Sequence, residues 1–193
     1  MSNYADINQS LNTGGVVLLP TETVYGLACR AGDAHAVEKI YAIKGRSFQK
    51  PLAVCVKDLE TARRYGEFSH AAKALAKQYW PGSLTIITKA KPNQKIDPKC
   101  QSKFGEMTTI AFRCPEADWL PHLDGPLALT SANRSGEKET VSYEAAITEL
   151  GEEIDNGLKT DMVLSGSPST IICLLYTSPS PRDRTRSRMP SSA

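Results

Sequence analysis

The sequence predicts an α/β domain with a largely covered sheet, and three observations predict it. Apolar, β-branched runs such as VVLLP (16–20), PLAVCV (51–56) and TTIAFR (108–113) alternate along the chain with segments of helical period. No repeat and no internal linker interrupts the alternation, so one domain is expected. A chain of 193 residues that is 40% hydrophobic and 23% charged is long enough to bury a core.

Taken in order, residues 5–13 read as a short helix stopped by Gly14 and Gly15. VVLLP is a buried strand, and the turn-rich TETVYGLACRAGD follows it. AHAVEKIYAIKG (34–45) places Val37, Ile40, Tyr41 and the stem of Lys44 on related faces of a helix that ends at Gly45. PLAVCV is the second strand. LETARRYG and SHAAKALAKQYWPG are helices, the second capped by Ser69 and stopped by Pro81-Gly82. SLTIITKA (83–90) alternates as a half-exposed strand does, and residues 91–107 read as a long polar loop. Strand TTIAFR, a short helix near ADWLPHL, strand PLALTSAN, helix SYEAAITELG and strands MVLSG and STII complete the expected order.

Several function classes are set aside by the same reading. No run approaches the roughly 18 apolar residues of a membrane span, and the opening MSNYADINQSLN is polar, so a soluble, cytoplasmic protein is expected. The five cysteines show no CxxC pairing and His35, His70 and His122 are scattered, which argues against zinc and for free thiols. Neither a G-x-x-x-x-G-K-[ST] loop nor a G-x-G-x-x-G turn occurs.

Residues 173–193, CLLYTSPSPRDRTRSRMPSSA, differ in kind: they are rich in Ser, Pro and Arg and have no periodicity. One reading is a disordered basic tail able to touch RNA. The sharper one is that CLLYTSPSPRD and SRMPSSA resemble, in one frame, the translated transposase adapter and flow-cell primer of sequencing libraries. The expectation is therefore a native domain over 1–172, truncated at its C-terminus, and a non-native disordered tail over 173–193. The segment holds Arg182, Arg184, Arg186, Arg188 and Asp183. Of 23 basic and 21 acidic residues, 19 and 20 then belong to 1–172, a net charge of −1 rather than +2, and basicity ceases to argue for nucleic acid.

Polar clusters sit where the expected strands end: PTETVYGL (20–27), KGRSFQKPL (44–52), TTIAFR, LTSANRSG (129–136) and SGSPSTII (165–172). Each alone has a plain structural explanation. Cations at a helix C-terminus complement its dipole, PTET can be a strand end and cap, TSAN can be a turn, and a strand-ending arginine is usually solvated. Together they offer positive charge from Lys44, Arg46, Lys50 and Arg113. Hydroxyl and amide groups come from Thr21, Thr23, Thr109, Ser131, Asn133 and Ser169. No nucleophile–base pair stands out. The set suits binding a polyanion beside a small polar molecule and reacting them by positioning and charge neutralisation.

In this order LPTETVYGL, KGRxxxKPL, WPGSLTII, TIAFRCP, LTSANRSG and PSTII resemble the YrdC family of threonylcarbamoyl-AMP synthases, over roughly residues 6–172 and in its single-domain bacterial form. The resemblance implies an open, twisted, mixed α/β sheet with flanking helices and a large concave cavity. It implies a nucleotidyltransferase that converts L-threonine, bicarbonate and ATP, with Mg²⁺, into threonylcarbamoyl-AMP and pyrophosphate. The product would pass to a transferase complex that makes threonylcarbamoyladenosine in tRNA, with weak RNA contact by the synthase itself allowed. By position, Lys44 and Arg46 match the catalytic, phosphate-gripping K-x-R, and Lys50, Thr109 and Asn133 match further ATP contacts. Thr23, Arg113, Ser131 and Ser169 match threonine contacts, with Arg113 on the carboxylate or carbamate; Cys55 stands where many members have a histidine on the threonine side. Ser47 replaces a frequent proline, and members continue beyond STII with an Asp and an arginine-containing strand. The alternatives weighed are an RNA-binding or ribosome-maturation factor of the same fold and a carbamoyl-transfer domain of a larger hydrogenase-maturation protein.

Overall fold

The computed structural model describes residues 3–175. Its elements are α1 (Tyr4–Asn12), β1 (Val17–Pro20), β2 (Tyr25–Arg30), α2 (Ala34–Lys44), β3 (Ala53–Cys55), α3 (Leu59–Tyr65), β4 (Gly66–Glu67), α4 (His70–Tyr79), β5 (Leu84–Ala90), β6 (Gln101–Phe104), β7 (Met107–Arg113), β8 (Leu127–Ser131), α5 (Tyr143–Leu150), β9 (Asn156–Gly157) and β10 (Thr170–Cys173). One mixed sheet runs β10-β5-β7-β3-β8-β2-β1-β9, with β4 added to β5 and β6 to β7. Both ends of that path are open, and helices flank the sheet, as expected of the α/β class.

The helices start and stop where their chemistry dictates. Asp33 caps α2 by accepting from the amides of His35 and Ala36, and Gly45 ends it in the left-handed region at φ 57°. Val37, Ile40, Tyr41 and Lys44 share its buried side. Ser69 caps α4 through the amide of Ala72. The core joins α1 (Ile7, Leu11) and α2 to the central strands, with Leu18, Leu19, Leu27, Ile86, Ile110 and Phe112 all at most 1% exposed.

Five expectations need correction. The segment read as turn-rich after β1 contains β2, which pairs with both β1 and β8 and is buried on both faces, so it shows no alternation. Strand β5 is not half-exposed: Lys89 alone is exposed in it, because β7 and β10 flank it and its outward residues are covered. The polar loop 91–107 holds a short 3-10 turn (Pro98–Cys100) and β6, which forms a hairpin with β7 through Gly105 at φ 59°. MVLSG forms no strand. It runs outside the sheet, with Val163 95% exposed and the amides of Ser165 and Gly166 bonded to the carbonyls of Glu22 and Thr23. The short helix near ADWLPHL is a single 3-10 turn, Leu120–His122.

Strand β10 runs through Cys173, whose successor Leu174 donates its amide to Ile87. The rest of the segment expected to be a non-native tail, from residue 176 on, lies outside the described residues.

Candidate active site

The site lies on one face of the sheet. Register fixes which residues share that face: Gly26 faces Ser131, Ala53 faces Leu129, and Arg113 is flanked by Cys55 on one side and Thr85 on the other. These strand residues, without Cys55, line a hollow of about 150 Å³ with Thr21, Thr23, Glu139, Pro168 and Ser169. Gly26 keeps the packing close there, since a Cβ would stand 2.8 Å from Leu129 Cδ1 and 3.1 Å from the carbonyl of Thr130 and would displace the leucine.

The hairpin loop between β1 and β2 is held by its own hydroxyls. Thr21 Oγ1 donates to the carbonyl of Val24 at 2.7 Å, which uses its one hydrogen. The 2.8 Å contact between the Thr21 and Thr23 hydroxyls therefore has Thr23 as donor. Arg113 Nη2 donates to Thr23 Oγ1 at 2.8 Å and to Glu22 Oε1 at 2.9 Å. The Pro20 carbonyl accepts from the buried Trp119 indole at 2.6 Å, which anchors the start of the loop. Across the hollow, Ser169 and Thr85 share a hydroxyl contact of 2.9 Å.

A second cluster is built around Lys44. Its ammonium, in a side chain 2% exposed, donates to the carbonyls of Ser131 and, at 2.6 Å, Asn133, and to Asn133 Oδ1 at 3.2 Å. An ammonium has three donors, so all are committed to the 131–133 turn. Burial, and secondarily the neighbouring Arg46, push its pKa down to about 8. Ser131 Oγ donates to Asn133 Oδ1 at 2.6 Å, and Asn133 Nδ2 to the carbonyl of Glu137 at 2.6 Å. The same turn closes the end of α2: the Ser135 amide bonds the carbonyl of Lys44, and Arg134 Nη1 that of Ile43.

Arg46 folds back over its own loop, Nε donating to the Lys50 carbonyl at 3.0 Å, and Tyr41 OH reaches that carbonyl at 2.9 Å. The side chain of Lys50 is exposed.

The structure thus brings Thr23, Arg113, Ser131 and Ser169 to one hollow, and Lys44 and Asn133 directly behind Ser131. Arg46 and Lys50 stand on the adjoining loop. Cys55 is buried beside Arg113, its thiol pushed up strongly by burial, and it does not line the hollow. Thr109 is not brought to the cluster: four residues before Arg113, roughly 13 Å along β7, its hydroxyl turns to the Ser102 carbonyl. Sequence reasoning missed Glu22 and Thr85. Both lie inside motifs that were read, PTET and SLTII, but only the pairing of β5 with β7 and the Arg113 contact reveal them. A larger hollow of about 690 Å³, lined by Tyr4, Trp119, Tyr143, Lys159 and Met162 among others, holds none of the expected site residues. Among the described residues no helix is long and apolar enough to cross a membrane.

A mixed, open sheet carries hydroxyls and one arginine around a small hollow, with a buried lysine behind Ser131, and such a set has the chemistry to meet small polar or anionic molecules. The chain belongs to the Sua5/YciO/YrdC family: the family model Sua5_yciO_yrdC (telomere recombination) matches residues 9–182. The threonylcarbamoyl-AMP synthase of Bacillus subtilis is 35% identical over 166 residues, which is 83% of this chain and 45% of that one. The structure of Pyrococcus abyssi Sua5 complexed with L-threonine superimposes with a TM-score of 0.79 at 28% identity, over 90% of this chain and 52% of that one. Escherichia coli YciO superimposes with a TM-score of 0.77 at 26% identity, over 91% and 87%. The chain therefore spans about half the length of the B. subtilis and P. abyssi proteins.

Proposed function

We propose that this protein is a threonylcarbamoyl-AMP synthase, forming threonylcarbamoyl-AMP and pyrophosphate from L-threonine, bicarbonate and ATP. The observation that carries this reading is the convergence of Thr23, Arg113, Ser131 and Ser169 on one hollow of about 150 Å³. That is small beside the roughly 300–1,000 Å³ of pockets for larger ligands and suits a single small amino acid. The named relatives support the same activity, and a structural neighbour holds L-threonine.

In this reading Arg113 receives the amino acid's carboxylate, a charge-assisted bond that arginine makes with directional preference. The amine combines with carbon dioxide or bicarbonate to give a carbamate, whose oxygen attacks the α-phosphorus of ATP while pyrophosphate leaves. An oxyanion nucleophile needs no strong base at that step; what must be overcome is repulsion between it and the triphosphate. Lys44 and Arg46 supply the opposing charge, with Lys50 and Asn133 proposed as further ATP contacts. Lys44 reaches phosphate only by exchanging one of its three bonds to the 131–133 turn, so its first role is to hold Ser131 and Asn133 in place. Mg²⁺, if bound with ATP, would supply further neutralisation of the phosphate charge; the hydroxyl and amide oxygens of Ser131 and Asn133 offer it no carboxylate, so it would be held mainly by phosphate oxygens.

The product is consumed by a tRNA threonylcarbamoyl transferase complex in the cytoplasm. Nothing in the site favours the RNA-binding alternative. The test is pyrophosphate release by the full chain with ATP and Mg²⁺, omitting threonine and bicarbonate in turn. Release that requires both supports the synthase; release indifferent to either contradicts it.

A further inference from the structure

Two buried polar atoms have no partner, Nε of Arg113, which lines the hollow, and Oε2 of Glu22, which lies just behind the lining between Thr21 and Thr23. Buried polar atoms are nearly always paired, so an orphaned pair within one ion bridge calls for an explanation. The bridge itself is real: Arg113 Nη2 lies 2.9 Å from Glu22 Oε1, with the two side chains 10% and 16% exposed. Both Nη2 hydrogens are used, one on Glu22 and one on Thr23. What remains is three donors on the arginine, the buried Nε–H and the two hydrogens of Nη1, one unused acceptor on the glutamate, and one lone pair on Thr23, whose own hydrogen goes to Thr21.

That residue of unused capacity has a shape. One side offers only donors and the other only acceptors, which matches an α-amino acid zwitterion: carboxylate to Arg113, ammonium to Glu22 and Thr23. We infer that Glu22 is a catalytic residue of the proposed synthase, binding the ammonium of the amino-acid substrate through Oε2 and accepting the proton that must leave when the carbamate forms. The assignment rests on the synthase reading and extends it to the step before attack on ATP.

The balance is simple. R–NH₃⁺ and HCO₃⁻ give R–NH–COO⁻, H₂O and one H⁺; the new bond is N–C, a C–O bond breaks to release water, and the proton goes to the Glu22 carboxylate. No electrons change hands and no further reactant is needed. Oε2 is buried behind the lining, so this role requires the glutamate to turn toward the hollow when the ammonium arrives, with Thr21 and Thr23 holding the loop. The titratable groups facing Glu22 are Arg113 on β7 and the thiols of Cys55 on β3 and Cys114 just after β7, while Glu139 lines the hollow itself.

The test compares the full-length wild type with Glu22→Gln and Glu22→Asp. Glutamine keeps an oxygen for Arg113 but puts an N–H₂ donor where the ammonium needs an acceptor. First, binding of L-threonine is compared with binding of 2,3-dihydroxybutanoate, the same acid with hydroxyl in place of the amine. Wild type should prefer threonine by roughly ten- to hundredfold, the scale of one hydrogen bond to a charged group, and Glu22→Gln should lose most of that preference while still binding the hydroxy acid. Second, threonine- and bicarbonate-dependent pyrophosphate release is followed from pH 6.5 to 9.5. Glu22→Gln should be slower by about a hundredfold at neutral pH, the gap closing as pH rises and supplies free amine, with partial recovery in Glu22→Asp. A purely structural glutamate gives a deficit independent of pH and an unchanged preference for threonine, and either finding overturns the assignment. A wild type that binds threonine but makes no threonine-dependent product overturns the synthase reading, and the proton-acceptor role with it.

Discussion

Lys44 and Asn133, 89 residues apart in sequence, are joined twice: the lysine ammonium donates to the asparagine backbone carbonyl at 2.6 Å and to its side-chain oxygen at 3.2 Å. This double link ties the end of α2 to the turn that follows β8. It makes the lysine a part of the scaffold as well as a charge. Replacing it tests both aspects.

Lys44→Met keeps the length of the stem and removes all three donors. The carbonyls of Ser131 and Asn133 are left in a buried site, and the expected loss is about 1–3 kcal/mol in urea unfolding. Activity should fall much further than stability, because the turn bearing Ser131 and Asn133 loses its anchor.

The depressed pKa of Lys44 has a sign that can be measured. The unfolded chain holds this proton up to about 10.5 and the folded chain only to about 8. Between those values the unfolded state binds more protons, so stability rises with pH across that window and the contribution is lost as pH falls through 8. Wild type should therefore gain on Lys44→Met between about pH 8 and 10. Binding a triphosphate beside Lys44 raises its pKa, so ATP binding at pH 8.5 should take up protons and at pH 6.5 should not. Calorimetry in two buffers of different ionisation enthalpy reads that difference.

Arg113→Lys removes the fork while keeping the charge. A lysine ammonium has donors enough but no planar fork, so it cannot hold Glu22 and Thr23 from one edge while presenting a second edge to a carboxylate. Threonine affinity should drop roughly ten- to hundredfold, with the affinity for ATP little changed. Equal losses for both ligands would mean that Arg113 holds the fold of the hollow rather than the amino acid.

Asp33→Ala tests the support of α2 without touching the hollow. Loss of its bonds to the amides of His35 and Ala36 should cost about 1 kcal/mol. Because Lys44 sits at the other end of the same helix, turnover at a temperature well below the melting midpoint should stay near wild type.

Much of this was legible in the sequence because local chemistry sets it. The caps at Asp33 and Ser69, the stop at Gly45 and the period of Val37, Ile40 and Tyr41 are short-range signals. Motif order marked Thr23, Arg113, Ser131 and Ser169, which the sheet then brings to one hollow. What was not legible depends on tertiary neighbours. Strand β2 hid because burial on both faces erases alternation. MVLSG looked like a strand, yet Val163 projects into solvent because no neighbouring strand is there to cover it. Thr109 shares the face of Arg113, but only the paired register shows how far along β7 it lies. Glu22 stood in plain view within PTET, and nothing short of its contact with Arg113 could single it out.

The most direct test of the central claim is to supply the full chain with ATP, Mg²⁺, labelled threonine and, in parallel, carbon-labelled bicarbonate, and to isolate the adenylate formed. The account predicts one adenylate that carries label from both, made in step with pyrophosphate. An adenylate with threonine label alone, or pyrophosphate released without any adenylate, would contradict it.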